Sequence, residues 1–508
     1  MPNRLKRSWQ HAEPDPVEPG TKPLKHGLLI SFTLPTIVLG VMHGPEGLIQ
    51  GVYAEHAGIS LGSLALALLL TKVFDAVTYP LIGSLSDRTY ARTGSRRSWL
   101  IAGTALSVVG IWFLLRPPGD VDVWYFGIWM AVTYLGWKII EIPLQAWSYV
   151  LTSDYKQRAR VQGWRGMGQV FGQLLFFLIP LLAMQVGVSD TTELNFDSLG
   201  LAAIICVVAL PLASLVLILR VPNRDPLLPP QIAEPGTRMR WRELWASIRT
   251  NPPLLRLLAA FLPVNLLTGM SGGLVYLYMD TYLGLGAQLP AILGIALLTA
   301  ILGIPIWTAL SGRFERHRVW AVALVLGGLA CASLALVSPG HASAAICFML
   351  YPVVTLVLAG TVAVYTMSAD IVDYGRLHTG RDHGGLYGSM FAFLQKSLQG
   401  VSAAIGLALV GAFGFDATSA TQTMSAVIGI KIGFALAPAL GLLAAAAIIW
   451  NYPLNRAKVS EIQIKLAARD AAEAAAEPLT GTPSIATDAT TPADALGPRA
   501  DDTKQTDS

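Results

Sequence analysis

The chain has 508 residues, of which 53% are hydrophobic and only 13% charged, with a mean hydropathy of +0.53 and a formal net charge of +4. A soluble globular chain carries about 25% charged residues. The deficit argues against a water-soluble enzyme or a nucleic-acid-binding domain and for a polytopic membrane protein. The three cysteines, Cys206, Cys331 and Cys347, lie in apolar runs and read as small core residues, neither a disulfide set nor a metal site.

Residues 1–27 are polar and rich in proline and charge, and are expected to form a cytoplasmic N-terminal segment with no cleavable signal peptide. Apolar stretches of about 20 residues are spanning-helix candidates. About twelve follow, near 28–53, 61–85, 98–117, 122–152, 162–186, 198–220, 254–282, 287–311, 319–338, 343–368, 385–412 and 424–451. The longest internal connection, 221–252, is rich in Pro and Arg and divides residues 28–220 from 253–451, six spans each. Residues 452–508 form a tail in which 457–477 has helical character and the rest is expected to be disordered.

Basic residues gather on one set of connections: Arg88 to Arg97, Lys156 to Arg165, Arg220 to Arg256, Arg313 to Arg318, and Arg376 with Arg381. The opposite set carries Glu55, Asp120, Asp122, Asp190, Glu193 and Asp416, with Arg116 its main basic member. Basic loops stay in the cytoplasm, so both termini are expected there. Two six-helix halves with matching basic loops imply an all-α membrane protein of the major facilitator fold, with its substrate site between the halves.

A charge at the centre of a membrane span costs roughly 2.5–3.5 kcal/mol on insertion scales, so buried charges tend to be paired or functional. Span two carries Asp75 and ends in Gly83-Ser-Leu-Ser-Asp87-Arg88, the mark of a cytoplasmic gate. Span four carries Lys138 and Glu141, three apart and so on one face. Span five carries Arg165, Gln169 and Gln173 as one stripe, span eleven Gln395, Lys396 and Gln399, and span one His43, Glu46 and Gln50 around a Gly44-Pro45 break. Each has a plainer reading. Arg165 can snorkel to the cytoplasmic surface, and Lys138 and Glu141 can form a structural ion pair. Glu46 can be solvated, His43 satisfied at the proline break, and the two glutamines can join helices by hydrogen bonds. Trp137 can stack on a sugar ring or simply pack.

Three segments carry a family resemblance. The first is Phe74-Asp75-Ala-Val-Thr-Tyr-Pro80-Leu-Ile-Gly83-Ser-Leu-Ser-Asp87-Arg88. The second is Ala369-Asp370-Ile-Val-Asp373-Tyr374-Gly375-Arg-Leu-His-Thr379-Gly380, followed by Gly385-Leu-Tyr387 and Gln395-Lys396. The third is Glu141-Ile-Pro143 leading through Asp154 and Arg158 to Trp164-Arg165. Over residues 28–455 the chain resembles the glycoside–pentoside–hexuronide:cation symporters. That resemblance implies Asp75 as a cation-site carboxylate, Glu141 and Arg165 as sugar ligands, and Lys396 as a bridge between the halves. It also implies that Gly83, Asp87, Arg88, Asp370 and Asp373 belong to a cytoplasmic gating network.

The sequence departs from the family pattern where the cation should bind. The second acid of span two is Tyr79, a hydroxyl-bearing position of span four is Lys138, and the early acid of span one is missing, with His43 and Glu46 lying further along. Sodium is a hard cation that wants several oxygen ligands. At an effective dielectric near 20, one unit charge at ~4 Å is worth roughly 4 kcal/mol. Sodium coupling is therefore not expected. Lys138 becomes a tethered cation, and Asp75, Glu141, His43 and Glu46 remain the coupling candidates, for a proton or for none.

The expectation is a monomeric multi-pass secondary transporter of the bacterial inner membrane. It would work in the lipid bilayer without cofactor, metal, enzyme activity or nucleic acid. Its substrate would be a glycoside, oligosaccharide or related polyhydroxylated solute, held by Glu141, Arg165, Gln169, Gln173, Lys396 and Trp137, and coupled to a proton if to anything. The rivals are a carrier or exporter of amphiphiles, which needs a large apolar cavity, and a non-transporting sensor with the tail as its output.

Overall fold

The computed structural model describes residues 24–152, 155–222, 249, 251–379, 384–419 and 421–476. Asp154, most of the 221–252 connection, Arg381, the Lys396 side chain and the tail beyond residue 476 lie outside the described residues. Every regular element among the described residues is helical. The N-terminal half contains α1 (His26–His43), α2 (Ile49–His56), α3 (Leu61–Thr93), α4 (Arg97–Leu115), α5 (Val123–Val150), α6 (Tyr155–Gln185) and α7 (Phe196–Arg220). The C-terminal half contains α8 (Pro252–Tyr276), α9 (Leu289–Arg313), α10 (Arg316–Leu334), α11 (Ser343–Leu358), α12 (Val362–Thr379), α13 (Gly384–Ala412), α14 (Met424–Lys431) and α15 (Ala437–Trp450). A final helix, α16 (Arg456–Ala476), lies where the tail was expected to turn helical. Eleven helical segments among the described residues are long and apolar enough to cross a membrane. α5 is not one of them, because its 28 residues include four tryptophans as well as Lys138 and Glu141.

Several boundaries differ from the sequence expectation: α6 begins at Tyr155 rather than near 162, and the tenth span, expected to stop near 368, continues through a 3-10 turn at Ala359–Thr361 to Thr379. The first span is broken: α1 stops at His43, and the chain turns through 44–48 before α2. Pro45 has no N–H to give the ladder, so the break leaves Glu46 on a turn. The second span does not end at Asp87-Arg88 but runs on to Thr93, where Gly94 takes a left-handed φ of +65° and caps the helix through its N–H to Tyr90 O. Asp87 thus sits on a helix, and its carboxylate meets Arg96 Nη2 at 3.2 Å.

Small residues set the helix pairs. In α1 and α6, a Cβ on Gly40 would come within 2.3 Å of Gln169 O, and one on Gly172 within 2.0 Å of Ile37 O. In α4 and α5, Gly103 abuts Ile139 and Ile140, Gly110 abuts Thr133, and Gly136 abuts Ser107. Glycines let helix backbones approach closely in membranes, where packing rather than water drives association. The α4 seam uses one face of α5, so its opposite stripe, Tyr134, Trp137, Lys138 and Glu141, faces the middle of the molecule. The spacing i, i+3, i+4, i+7 is that of one helical face.

The halves meet along α3 with α13 and α6 with α9. Hydrogen bonds between the halves gather from the cavity wall toward one end of the molecule. Thr281 Oγ1 donates to Glu55 at 2.9 Å, Tyr276 OH meets His56 Nε2 at 3.3 Å, Thr192 Oγ1 donates to Ala287 O at 2.8 Å, and Gln50 Nε2 reaches Gly273 O at 3.4 Å. This end is closed. It is the end that bears the acidic connections.

Candidate functional site

Between the halves lies a cavity of about 610 Å³, within the usual range of ligand sites of about 300–1,000 Å³. Four helices of the N-terminal half and the turn after α1 give it its chemistry. α3 presents Lys72, Asp75 and Tyr79, α5 its stripe from Tyr134 to Glu141, and α6 Gln169 and Gln173; His43 ends α1 and Glu46 follows on the turn. The C-terminal half lines the cavity with Thr268, Gly269, Gly272 and Gly273 of α8 and Gln399, Gly400 and Ala403 of α13. Among the described residues, every charged side chain in the wall belongs to the N-terminal half.

The charges are arranged as a ladder. Lys72 Nζ meets Glu46 Oε1 at 2.9 Å, and His43 Nδ1 lies 3.2 Å from the other carboxylate oxygen. The Lys72 ammonium also stands 4.4 Å from the centre of the Tyr134 ring, a cation–π distance. One turn along α3, Asp75 pairs with Lys138, which also bonds the Asp75 carbonyl and reaches Thr78 Oγ1 at 3.1 Å. Tyr79, in place of a second acid, turns its ring toward the same ammonium at 5.8 Å. Both lysines are therefore held by carboxylates. Glu141 lines the cavity without such a partner among the described residues.

Two further polar atoms point to a ligand. Gln50 Oε1 and Trp137 Nε1 are buried in the cavity wall with no hydrogen-bond partner, although Gln50 Nε2 is used by Gly47 O and Gly273 O. A buried orphan acceptor or donor costs about 1–3 kcal/mol, a cost that a polyhydroxylated solute would remove. The Trp137 ring packs on His43 at 4.1 Å between centroids and on Tyr134 at 5.0 Å.

The expected site residues therefore divide. His43, Glu46, Asp75, Trp137, Lys138, Glu141, Gln169 and Gln173 share one cavity. Arg165 is not in its wall. It lies one turn from Gln169 on α6, 7% exposed, bonding Gln145 and, at 3.2 Å, Gln162 Oε1. It braces α5 against α6 instead. Lys396 belongs to α13, and its side chain lies outside the described residues. Lys72 and Tyr134 were missed, although helical spacing from Asp75 and Trp137 places both on the cavity stripes.

The proposed gate residues lie at the end opposite the inter-half bonds. Asp370 of α12 accepts from Arg316 Nη1 at 2.5 Å. Asp373 accepts from Gln463 Nε2 of α16 at 3.4 Å, so the tail helix rests on α12. α16 is fastened further by Arg456, whose N–H donates to Glu315 at 3.0 Å, and by burial of Ile462 and Leu466. Gly83 and Arg88 lie along the last turns of α3 with Asp87.

Known proteins match this arrangement. A family profile described as MFS/sugar transport protein covers residues 34–456. The glucuronide carrier protein homolog of Escherichia coli is 26% identical over 82% of this chain and 89% of its own length. The putative glycoside/cation symporter YagG of the same organism is 26% identical over 84% and 91%. Among solved structures, the inward-open xylose transporter XylE of E. coli superposes with a TM-score of 0.56 at 14% identity, over 86% of this chain and 99% of that one. The nucleoside transporter NupG does so with 0.57 at 11%, over 84% and 98%. At these identities the structures speak for the fold alone. With the two-half architecture and a polar central cavity, the profile match over most of the chain identifies this multi-pass membrane protein as a member of the MFS/sugar transport protein family, a secondary transporter resembling the sugar:cation symporters.

Proposed function

We propose that this chain moves a glycoside, oligosaccharide or related polyhydroxylated solute across the bacterial inner membrane by alternating access, without sodium. The reading is carried by the cavity wall. A ring of hydrogen-bonding groups (Gln50, Trp137, Glu141, Gln169, Gln173, Thr268 and Gln399) surrounds a space of sugar size. Such convergent polar groups weigh against an amphiphilic cargo, which would want an apolar lining. The names of two relatives, a glucuronide carrier homolog and a putative glycoside/cation symporter, support the same substrate class.

Coupling follows from charge. Asp75 is neutralised by Lys138 and Glu46 by Lys72. The Lys138 ammonium takes the Asp75 carboxylate, the Asp75 carbonyl and Thr78 Oγ1, the oxygens that an inorganic cation would otherwise use. Glu141 remains as the carboxylate able to take a proton and a sugar hydroxyl in turn. With the basic loops in the cytoplasm, the closed end faces outward and the cavity is reached from inside. The protein would act as a monomer.

The test is uptake into proteoliposomes from a panel of labelled glycosides, oligosaccharides and amphiphiles, each with a sodium gradient, a pH gradient or neither. Accumulation of a glycoside without sodium is expected; accumulation of amphiphiles alone would refute the reading. Orientation is checked separately. Cysteine at Asp190 should label with an impermeant reagent from outside and cysteine at Thr93 should not; the reverse pattern would invert the topology.

A further inference from the structure

Lys72 does more than neutralise Glu46. Its stem lies flat on the other half of the protein. A Cβ built on Gly400 of α13 would come within 2.5 Å of Lys72 Cδ, 2.6 Å of Cγ and 2.8 Å of Cε, and nothing else approaches it as closely. Three of the four carbons of the stem therefore occupy a notch that exists because residue 400 is glycine. The ammonium at the end of that stem is in the cavity, on Glu46 and over Tyr134. One side chain thus touches the inter-half seam with its middle and the charged centre with its tip.

Glu46 is equally tied to the seam. It sits on the 44–48 turn, and the next residue, Gly47, lies so close to α8 that a Cβ there would be 2.9 Å from Gly272 O. Gln50, one turn on, hydrogen-bonds Gly273 O at 3.4 Å. Both partners of the Glu46–Lys72 pair are therefore pressed into register by the C-terminal half, Lys72 by α13 and Glu46 by α8.

We propose that Lys72 is a positioning residue that ties closure of the outer end to the charge state of the cavity: with the halves together, Gly400 holds the Lys72 stem so that its ammonium neutralises Glu46, and when the halves part, the pair is released and both groups become available to a ligand. The order is a mechanical one. Withdrawal of α13 empties the notch, the stem regains its rotamers, and the ammonium is no longer held at one geometry. A long cationic side chain surrenders considerable rotamer freedom when fixed, so the clamp is what keeps the pair made. This deepens the transport reading by assigning a substrate-free device to the same cavity. Because it is read without substrate, its failure would leave the glycoside reading standing, and the reverse holds too.

The experiment measures the gap between the halves in the full-length protein. Spin labels are placed at Asp190→Cys and Met424→Cys, on the two outer rims, and distances are taken by electron–electron resonance in nanodiscs. The native cysteines are all buried, which favours selective labelling. A methyl added to a packed seam strains it, so Gly400→Ala should move the closed-to-open ratio at least about fivefold toward open. Glu46→Gln should shift it in the same direction. Both shifts should vanish in Lys72→Ala, where neither stem nor charge is present. Lys72→Met keeps the stem without the charge, and there the Gly400→Ala shift should persist while the Glu46→Gln shift is lost. Absence of either single shift, or persistence of either in Lys72→Ala, overturns the proposal.

Discussion

The most informative perturbation is Lys138→Thr. It returns to α5 the hydroxyl that the family resemblance expects and removes the ammonium from Asp75. In the structure the Lys138 side chain is 8% exposed, and its ammonium holds the Asp75 carboxylate, the Asp75 carbonyl and Thr78 Oγ1. An incoming sodium ion would have to share this space with a fixed unit charge. At an effective dielectric of ~20, two like charges at ~4 Å repel by roughly 4 kcal/mol, which is about a thousandfold in affinity at ~1.4 kcal/mol per decade. Removing Lys138 abolishes that repulsion and leaves carboxylate, carbonyl and two hydroxyl oxygens, the donor set a hard cation prefers. The cost to folding should be modest. Breaking a buried pair costs about 3–5 kcal/mol when the remaining charge is sealed from water, but Asp75 keeps 26% of its side chain exposed to the cavity. The assay is tryptophan fluorescence of purified protein titrated with sodium, since Trp137 lies in the same wall, followed by uptake under a sodium gradient. The wild-type protein should not respond, and the variant should gain a saturable response. A sodium gradient that drives accumulation by the wild-type protein would refute the argument outright, and so would a folded Lys138→Thr variant as indifferent to sodium as its parent.

Three other outcomes are expected. If protons couple, a pH gradient accelerates uptake, and Glu141→Gln abolishes the acceleration while leaving exchange; acceleration that survives the substitution would remove Glu141 from the role. Asp87→Asn breaks the pair with Arg96; because Asp87 is largely exposed, fold stability should fall by no more than about 1 kcal/mol, while the same spin-label distances shift further toward the inward-facing state. Unchanged populations would sink the gate assignment. The third concerns pH. Glu55, past the first span, is pushed above the usual carboxylate range by burial, with Glu193 adding to the rise and the Thr281 hydrogen bond opposing it. The closed end therefore favours protonated Glu55. Closure should strengthen as pH falls through the raised value, be complete in this respect below the ordinary carboxylate pKa, and weaken as pH rises; Glu55→Gln should flatten that profile.

Much of the site could be read from residue types and spacing. Lys138 and Glu141 at i and i+3, and Gln169 and Gln173 at i and i+4, announced two polar faces, and all four line the cavity. The acids expected at a gate came from loop patterns; Asp87 and Asp370 lie on helices instead, each paired with an arginine. The same stripe logic applied to Asp75 and Trp137 would have reached Lys72 and Tyr134.

What the sequence determined by itself is the set of apolar spans and the identity of the polar faces, because helical periodicity fixes direction around an axis. What only the tertiary structure decided is depth and partnership. Arg165 shares a stripe with Gln169 yet ends one turn away, bonded to Gln145. α3 passes Asp87 and stops at Gly94. Glu46 finds Lys72 and Asp75 finds Lys138 across 26 and 63 residues of chain. These pairings depend on how closely helices approach, and that is set by glycines such as Gly40, Gly136, Gly172 and Gly400 meeting particular neighbours on other helices. A single strand of sequence carries each glycine but not the surface it will face, so the charge ladder at the centre of this transporter exists only once the helices are packed.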